Sequence, residues 1–151
     1  MMATADDIKR LREETSCGVI DCKKALDEAQ GDFNKAKEVL RRRGLEMAAK
    51  KSDRVAKEGR VEAYVHNNKI GVIVEVNCET DFVARNEDFM TFARDVAMQI
   101  SWTNPENVQA LLGQAFIKDA GKTIQDYLNE LIAKIGENIV IGRFTRIKIG
   151  E

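Results

Sequence analysis

The hydrophobic period of this sequence first changes at Gly59, and this change constrains the fold more than any other feature. Before Gly59, apolar residues recur every three to four positions, which is typical of amphipathic helices. After Gly59, apolar residues alternate with other residues over 61–65 and again over 70–76. We expect these two runs to form a β-hairpin that turns at 66–69 and carries its β-branched residues on the buried face. The chain therefore combines helices with a sheet.

Residues 1–44 are predicted to form three short helices separated by glycines. Asp32 is a favourable N-cap for the third helix, and Gly44 is its expected end. Three helices in so short a segment make a small N-terminal module with a thin core. Residues 45–59 are rich in Ala and Lys, so a connecting helix is predicted there.

Residues 60–151 are predicted to form an α+β core domain. Two strongly amphipathic helices are indicated, one that begins after Asn86 and one over 124–135. The Ile- and Val-rich segment 138–149 predicts a third strand, with Gly142 at a bulge or close approach. The expected fold class is α+β, with a three-stranded antiparallel sheet packed with helices.

The composition excludes several classes of protein. Lys and Arg total 24 against 25 Asp and Glu, and the net charge of -1 argues against direct nucleic-acid binding. No run of about 18 apolar residues occurs, so we expect no membrane span. The first residues lack the apolar stretch of a secretory signal, and three widely spread cysteines, an odd number, fit a reducing compartment better than a disulfide framework. The expected location is therefore cytoplasmic.

Residues that catalysis or metal binding would need are scarce. His66 is the only histidine, and a histidine in a hairpin turn is usually solvated. Cys17, Cys22 and Cys78 form no Cys-x-x-Cys pair, which makes a zinc site improbable. No glycine-rich phosphate loop occurs. We therefore expect no catalytic residue, no metal and no cofactor, and we expect that the chain is not an enzyme.

Residues 41–60 are locally basic, with eight basic and three acidic side chains. One interpretation is a solvated surface on the connecting segment. The alternative is contact with the phosphates of RNA, which would make the chain an RNA- or ribosome-associated protein.

The segment 77–86 connects the second strand to the next helix, and a connection does not require an apolar Phe82 beside Asp81. In one interpretation Thr80 or Asp81 caps a helix that starts before Asn86, and Phe82 folds back into the core. In the other, the end of the strand presents Asp81 and Phe82 outward. A protruding ring is a common binding hot spot, and an adjacent carboxylate can orient the partner.

Three segments, residues 11–26, 75–86 and 132–141, closely resemble signature segments of the translation elongation factor Ts family. They occur in the family's order and extend from near the start to near the end of the chain. The resemblance implies an N-terminal module of the ubiquitin-associated type followed by an α+β core. It also implies a guanine-nucleotide exchange factor whose partner is elongation factor Tu.

The resemblance further implies which residues meet the partner. In the family the element that matches Thr80, Asp81, Phe82 and Val83 docks on the GTPase domain. Phe82 would wedge between partner helices and Asp81 would contact the same region, so that the Mg²⁺ and phosphate site is disturbed and GDP leaves. By linkage, a factor that prefers the nucleotide-free state must weaken nucleotide binding equally.

Two more expectations follow from the resemblance. The N-terminal module is expected to touch the GTPase domain through Arg12, Val19 and Ile20. The chain has one Thr-Asp-Phe-Val element and resembles a short form with a single core half. We therefore expect a homodimer in which the apolar sheet faces of two chains meet.

Overall fold

A computed structural model describes residues 3–15 and 17–151 and confirms the α+β class. A three-stranded antiparallel sheet has the order β1-β2-β5, and a small two-stranded sheet pairs β3 with β4. Within the described residues, no helix combines the length and apolar character that a membrane span requires. The elements are α1 (Ala5–Thr15), α2 (Val19–Glu28), α3 (Phe33–Lys51), β1 (Glu58–His66), β2 (Ile70–Cys78), α4 (Asp81–Ala84), α5 (Glu87–Thr103), α6 (Val108–Gly113), β3 (Ala115–Phe116), β4 (Asp119–Thr123), α7 (Ile124–Ile135) and β5 (Val140–Lys148).

The hairpin of β1 and β2 turns where the sequence predicts. Asn67 and Asn68 both have positive φ, 50° and 58°, as the two-residue turn of a tight hairpin requires. Asparagine tolerates this region better than most residues because its short polar side chain bonds locally. Strand β5 then pairs with the other edge of β2, so β2 is central and its C-terminal end leads directly into α4.

Gly142 lies in a bulge of β5, as predicted. The register shifts between the pairs Val74–Phe144 and Val76–Ile141. A Cβ on Gly142 would lie 2.6 Å from the Asn77 side-chain oxygen, closer than atoms can approach. A larger residue at this position would therefore require the Asn77 and Glu75 side chains to move.

The predicted buried face is right for β2 and wrong for β1. Val72, Val74 and Val76 are buried, but Val61 and Val65 are 66% and 62% exposed. The register explains this difference, because Val61 pairs with Glu75 and therefore lies on the side of the sheet opposite to the buried valines. Alternation predicts the period of a strand but does not predict which face the helices cover.

The N-terminal helices α1, α2 and α3 share a small apolar core. Asp32 caps α3 as predicted, since its carboxylate accepts a hydrogen bond from the backbone N–H of Lys35 at 3.1 Å. The buried residues of this core are Leu11, Cys22, Ala25, Leu26, Ala29, Ala36 and Leu40.

The third helix does not end at Gly44, and the predicted separate helix over 45–59 is wrong. Helix α3 continues through Gly44 to Lys51, and β1 begins at Glu58. Gly44 lacks the positive φ of a helix-ending glycine. It is buried instead, and a Cβ there would lie 3.5 Å from the carbonyl oxygen of Asn129 in α7. Gly44 therefore permits close packing of α3 on α7. The division into units 1–44, 45–59 and 60–151 stays a prediction.

Helices α5 and α7 lie with the sheet in one larger core. Asn86 caps α5 as predicted, accepting hydrogen bonds from the N–H groups of Asp88 and Phe89 at 2.8 and 3.2 Å. The small sheet of β3 and β4 was not predicted. The buried Gln99 holds it, since its side chain donates to the Ala115 carbonyl at 3.0 Å and accepts from the Ile117 N–H at 2.9 Å.

Candidate functional site

The candidate site is the single helical turn α4, which follows the central strand β2. Thr80 caps this turn, because its hydroxyl oxygen accepts a hydrogen bond from the N–H of Val83 at 3.3 Å. A helix therefore begins before Asn86, as one interpretation of the sequence predicted. That α4 and α5 are two helices with two caps was not predicted.

Phe82 points away from the core. Its exposed fraction is 79%, the largest among the exposed large apolar residues of the described chain. Asp81 is also exposed, whereas Val83 and Ala84 are buried and attach the turn to the core. The interpretation in which Phe82 folds back into the core is therefore wrong. The structure presents Asp81 and Phe82 side by side at the surface.

Glu137 anchors the start of this turn from the connection between α7 and β5. Its Oε1 atom accepts hydrogen bonds from the N–H groups of Glu79 and Thr80 at 3.0 and 3.1 Å. Its Oε2 atom accepts a third from the Thr80 hydroxyl at 2.8 Å. Hydrogen bonds to a charged carboxylate are stronger than neutral ones. The backbone just before Asp81 is therefore held firmly.

A second set of bonds connects the same two segments in the opposite direction. The Glu79 carboxylate accepts a hydrogen bond from the N–H of Asn138 at 2.8 Å and lies 3.6 Å from the Arg54 guanidinium. The Asn138 side chain in turn donates to the Arg54 carbonyl at 2.8 Å. Glu137 and Asn138 were not assigned a role from the sequence. The only signal for them is their place in the third family-like segment, 132–141.

Asp81 is weakly engaged within the chain. Its carboxylate lies 3.5 Å from the Arg85 guanidinium, but the two side chains are 68% and 73% exposed. An ion pair so open to solvent contributes little to stability, about 0–1 kcal/mol. The Asp81 carboxylate can therefore turn to another donor without a large loss.

Cys78 lies beneath the turn as a buried thiol. It donates a hydrogen bond to the Thr80 carbonyl at 3.2 Å. Burial raises the pKa of Cys78 to about 11, so the thiol is protonated at neutral pH. Burial also raises the pKa of Cys17 and of Cys22. A thiol that keeps its proton is a poor nucleophile, so these positions are structural in character.

The residues predicted on the N-terminal module lie together at the junction of α1 and α2. Val19 and Ile20, in the first turn of α2, are 49% and 68% exposed. Arg12 is exposed and donates a hydrogen bond from Nε to the Cys17 carbonyl at 3.3 Å. Arg12 and Val19 line one groove together with Lys134 of α7.

The C-terminal end of α7 is adjacent to both predicted regions. Lys134 borders the groove at Arg12, and Glu137, three residues later, holds Thr80. Lys134 also forms an ion pair of 3.0 Å with Asp88 in the first turn of α5. The groove at Arg12 and the α4 turn therefore both contact the short segment that runs from the end of α7 toward β5.

Comparison with known proteins identifies the family. A family model described as Elongation factor TS matches residues 79–151. Elongation factor Ts of Thermodesulfovibrio yellowstonii is 41% identical over 195 residues, covering 100% of this chain and 98% of that protein. Those of Alkaliphilus oremlandii and Carboxydothermus hydrogenoformans are each 44% identical over 196 residues, covering 91% and 90% of those proteins.

The chain belongs to the elongation factor Ts family. The family-like segments at 11–26, 75–86 and 132–141 are thus explained, and the chain stands among the translation elongation factors. The alignments extend over more positions than the 151 residues of this chain, so these relatives contain internal residues that it lacks. The chain is a shortened form of the family.

Half of the eight basic residues in the stretch 41–60 are paired with carboxylates. Four of its basic residues form ion pairs: Arg41 with Glu38, Arg43 with Glu28, Arg54 with Glu79 and Arg60 with Glu62, at 2.7 to 3.6 Å. Cations paired in this way attract phosphates less than an unpaired cluster would. The arrangement favours the solvated-surface interpretation over RNA contact.

Proposed function

We propose that this chain is a guanine-nucleotide exchange factor that binds elongation factor Tu with GDP and promotes GDP release. Membership in the elongation factor Ts family supports this role. The observation that carries it is the largely exposed ring of Phe82 on a turn whose preceding backbone is hydrogen-bonded to Glu137.

An exposed aromatic ring on a firmly held turn has the properties of a binding hot spot. Burying a phenylalanine side chain in a partner contributes about 1.5–3 kcal/mol. Because Thr80 and Val83 hold the turn before binding, little ordering of this segment is needed when the partner arrives. Asp81 would accept hydrogen bonds from the same surface of the partner.

The exchange mechanism requires coupling rather than chemistry. Phe82 and Asp81 enter the GTPase domain of elongation factor Tu and disturb its Mg²⁺ and phosphate site. A factor that binds the nucleotide-free GTPase more tightly than the GDP form weakens GDP binding by the same factor. No covalent step occurs, so this chain needs no catalytic residue, metal or cofactor of its own.

The junction of α1 and α2 provides a second contact with the same GTPase domain. Val19 and Ile20 supply exposed apolar surface, and the Arg12 guanidinium can bond a carboxylate or carbonyl at its edge. Two contacts on one chain act together, because the second forms within an already associated complex. Variants at Arg12 and Ile20 should therefore weaken the complex without changing the α4 turn.

The open face of the three-stranded sheet is the proposed homodimer interface. The pairing register places four large, exposed apolar residues on one side of the sheet, and the ion pair of Glu75 and Arg143 borders them. Such a surface on a small chain indicates a protein contact, and a symmetric pair would cover it on both copies. Each GTPase would then meet two core halves. The large apolar residues of this face are Val61, Val65, Ile73 and Ile147.

The proposed function is tested by measuring the rate at which labelled GDP leaves elongation factor Tu in buffer, with and without this chain. The account expects the chain to accelerate release at substoichiometric amounts. Equal rates of release with and without the chain would contradict it. A parallel binding assay with RNA at two salt concentrations tests the alternative, since phosphate contacts weaken steeply as salt rises.

A further inference from the structure

The Glu137 side chain forms several hydrogen bonds with the residues that lead into α4. It accepts three hydrogen bonds there, from the Glu79 N–H, the Thr80 N–H and the Thr80 hydroxyl, at 2.8 to 3.1 Å. We propose that Glu137 is a positioning residue for nucleotide exchange, which sets the direction in which Phe82 is presented. This inference rests on the proposed exchange function.

The geometry fits a carboxylate better than other side chains. Two oxygens must accept three hydrogen bonds from donors on the same short piece of backbone, and a carboxylate has lone pairs enough for all three. The two N–H groups belong to residues between the end of β2 and the start of α4. They have left the sheet and have not entered the helix, so neither element supplies their partner, and the Glu137 carboxylate does.

The bond from the Glu79 carboxylate to the Asn138 N–H makes the arrangement reciprocal. Each of the two segments supplies a carboxylate to the backbone of the other, although 57 to 59 residues separate the partners in the sequence. Two anchor points fix both the position and the direction of a segment, where one would leave it able to rotate. The direction of α4 relative to the sheet is therefore set by the connection between α7 and β5.

Phe82 itself contributes nothing to this fixation, because its ring is exposed. If Glu137 is removed, the fold keeps its core but the turn samples other directions, and only a fraction of molecules presents Phe82 correctly. An apparent dissociation constant rises in inverse proportion to the competent fraction. The concentration of this chain that gives half-maximal GDP release should therefore rise more than the maximal rate falls.

The experiment measures GDP release from elongation factor Tu as a function of the concentration of each variant. Three hydrogen bonds to a charged group are lost in Glu137→Ala, and we expect the half-maximal concentration to rise about tenfold. Glu137→Gln keeps an acceptor oxygen for the two N–H groups, and we expect a rise of at most about threefold. The matched control is Glu106→Ala, which removes an exposed carboxylate elsewhere and should match the wild type.

A double variant separates positioning from other roles. If Glu137 acts through Phe82, then Glu137→Ala adds no further loss once Phe82→Ala is present. Hydrogen exchange of the Glu79 and Thr80 amides in the free chain supplies a direct readout, with faster exchange expected in Glu137→Ala. Should Glu137→Ala fail to fold, Glu137→Gln and Glu137→Asp carry the test, and the shorter Asp should lose more exchange activity than Gln.

The outcomes distinguish this inference from the function on which it rests. If GDP leaves elongation factor Tu as fast with Phe82→Ala as with the wild-type chain, the proposed exchange mechanism fails. If Phe82→Ala accelerates GDP release less than the wild type but Glu137→Ala accelerates it equally, only the positioning role of Glu137 fails. The positioning role also fails if Glu137→Ala raises the half-maximal concentration by the same factor with Phe82 present and with Phe82→Ala. It fails as well if Glu137→Gln and Glu137→Ala raise that concentration equally.

Discussion

Phe82 and Val83 are neighbours on one helical turn, yet Phe82 is 79% exposed and Val83 only 8%. The turn therefore divides its two apolar side chains between the outside and the core. Val83 attaches α4 to the molecule, and its N–H bonds to the Thr80 cap. Phe82 is left with no role in the fold, and this separation is what makes its function testable.

Replacement of Phe82 by Ala should leave the fold intact. Because its ring is outside the core, we expect the free energy of unfolding to change by less than about 0.5 kcal/mol. The matched control is Phe89→Ala, since Phe89 is fully buried and its removal should cost about 3–5 kcal/mol. Urea unfolding of both variants measures the difference. A large loss of stability in Phe82→Ala would show that the ring packs inside the protein.

Gly44 should tolerate one methyl group but no larger side chain. A Cβ would lie 3.5 Å from the Asn129 carbonyl oxygen, which is ordinary contact, and Ala is favoured over Gly in a helix by about 1 kcal/mol. We therefore expect Gly44→Ala to raise the free energy of unfolding and Gly44→Leu to lower it. Equal stability of the Leu variant and the wild type would contradict the close packing of α3 on α7.

Stability should fall in alkaline solution partly through Cys78. Its pKa is about 11 in the folded chain against an ordinary value of 9.0, so the unfolded thiol ionises first as pH rises. The stabilising contribution is complete below about pH 9 and is lost between about pH 9 and pH 11. Urea unfolding at about pH 8 and pH 10.5 should show a smaller decrease in Cys78→Ala than in the wild type. Identical decreases would contradict the assignment.

The proposed homodimer should depend on the open face of the sheet. Ile73 is on the central strand and is 56% exposed, so Ile73→Asp places a charge in the middle of the interface. Light scattering should give the mass of two chains for the wild type and of one for this variant. The control Val55→Asp changes an exposed apolar residue outside the sheet and should remain dimeric. A wild-type monomer, both alone and with the GTPase, would refute the interface.

Local signals allowed much of the fold to be predicted. The Asp32 and Asn86 caps, the hairpin turn at Asn67 and the bulge at Gly142 each depend on interactions within a few residues or on a backbone shape that only certain residues adopt. Such features are encoded next to the position where they act. Phe82 was also recognisable, because its place beside Asp81 in a connection lacked an obvious structural reason.

The features that were missed depend on contacts between distant segments. Gly44 is a helix-ending residue by local rules, and only the approach of Asn129 shows why this position within the helix must hold a small residue. The outward direction of Val61 follows from pairing with Glu75, which alternation in one strand does not specify. Glu137 lies 57 residues from Thr80, so no local pattern could reveal the bond between them.

The central claim is that Phe82 acts on the nucleotide of a partner, and one measurement tests it most directly. GDP release from elongation factor Tu is followed with wild-type chain, with Phe82→Ala and with Trp102→Ala, which removes another exposed aromatic ring. The account predicts that Phe82→Ala accelerates release at least about tenfold less than the wild type, as the loss of a buried aromatic contact implies. Trp102→Ala should behave like the wild type. Wild-type acceleration by a folded Phe82→Ala variant would contradict the account.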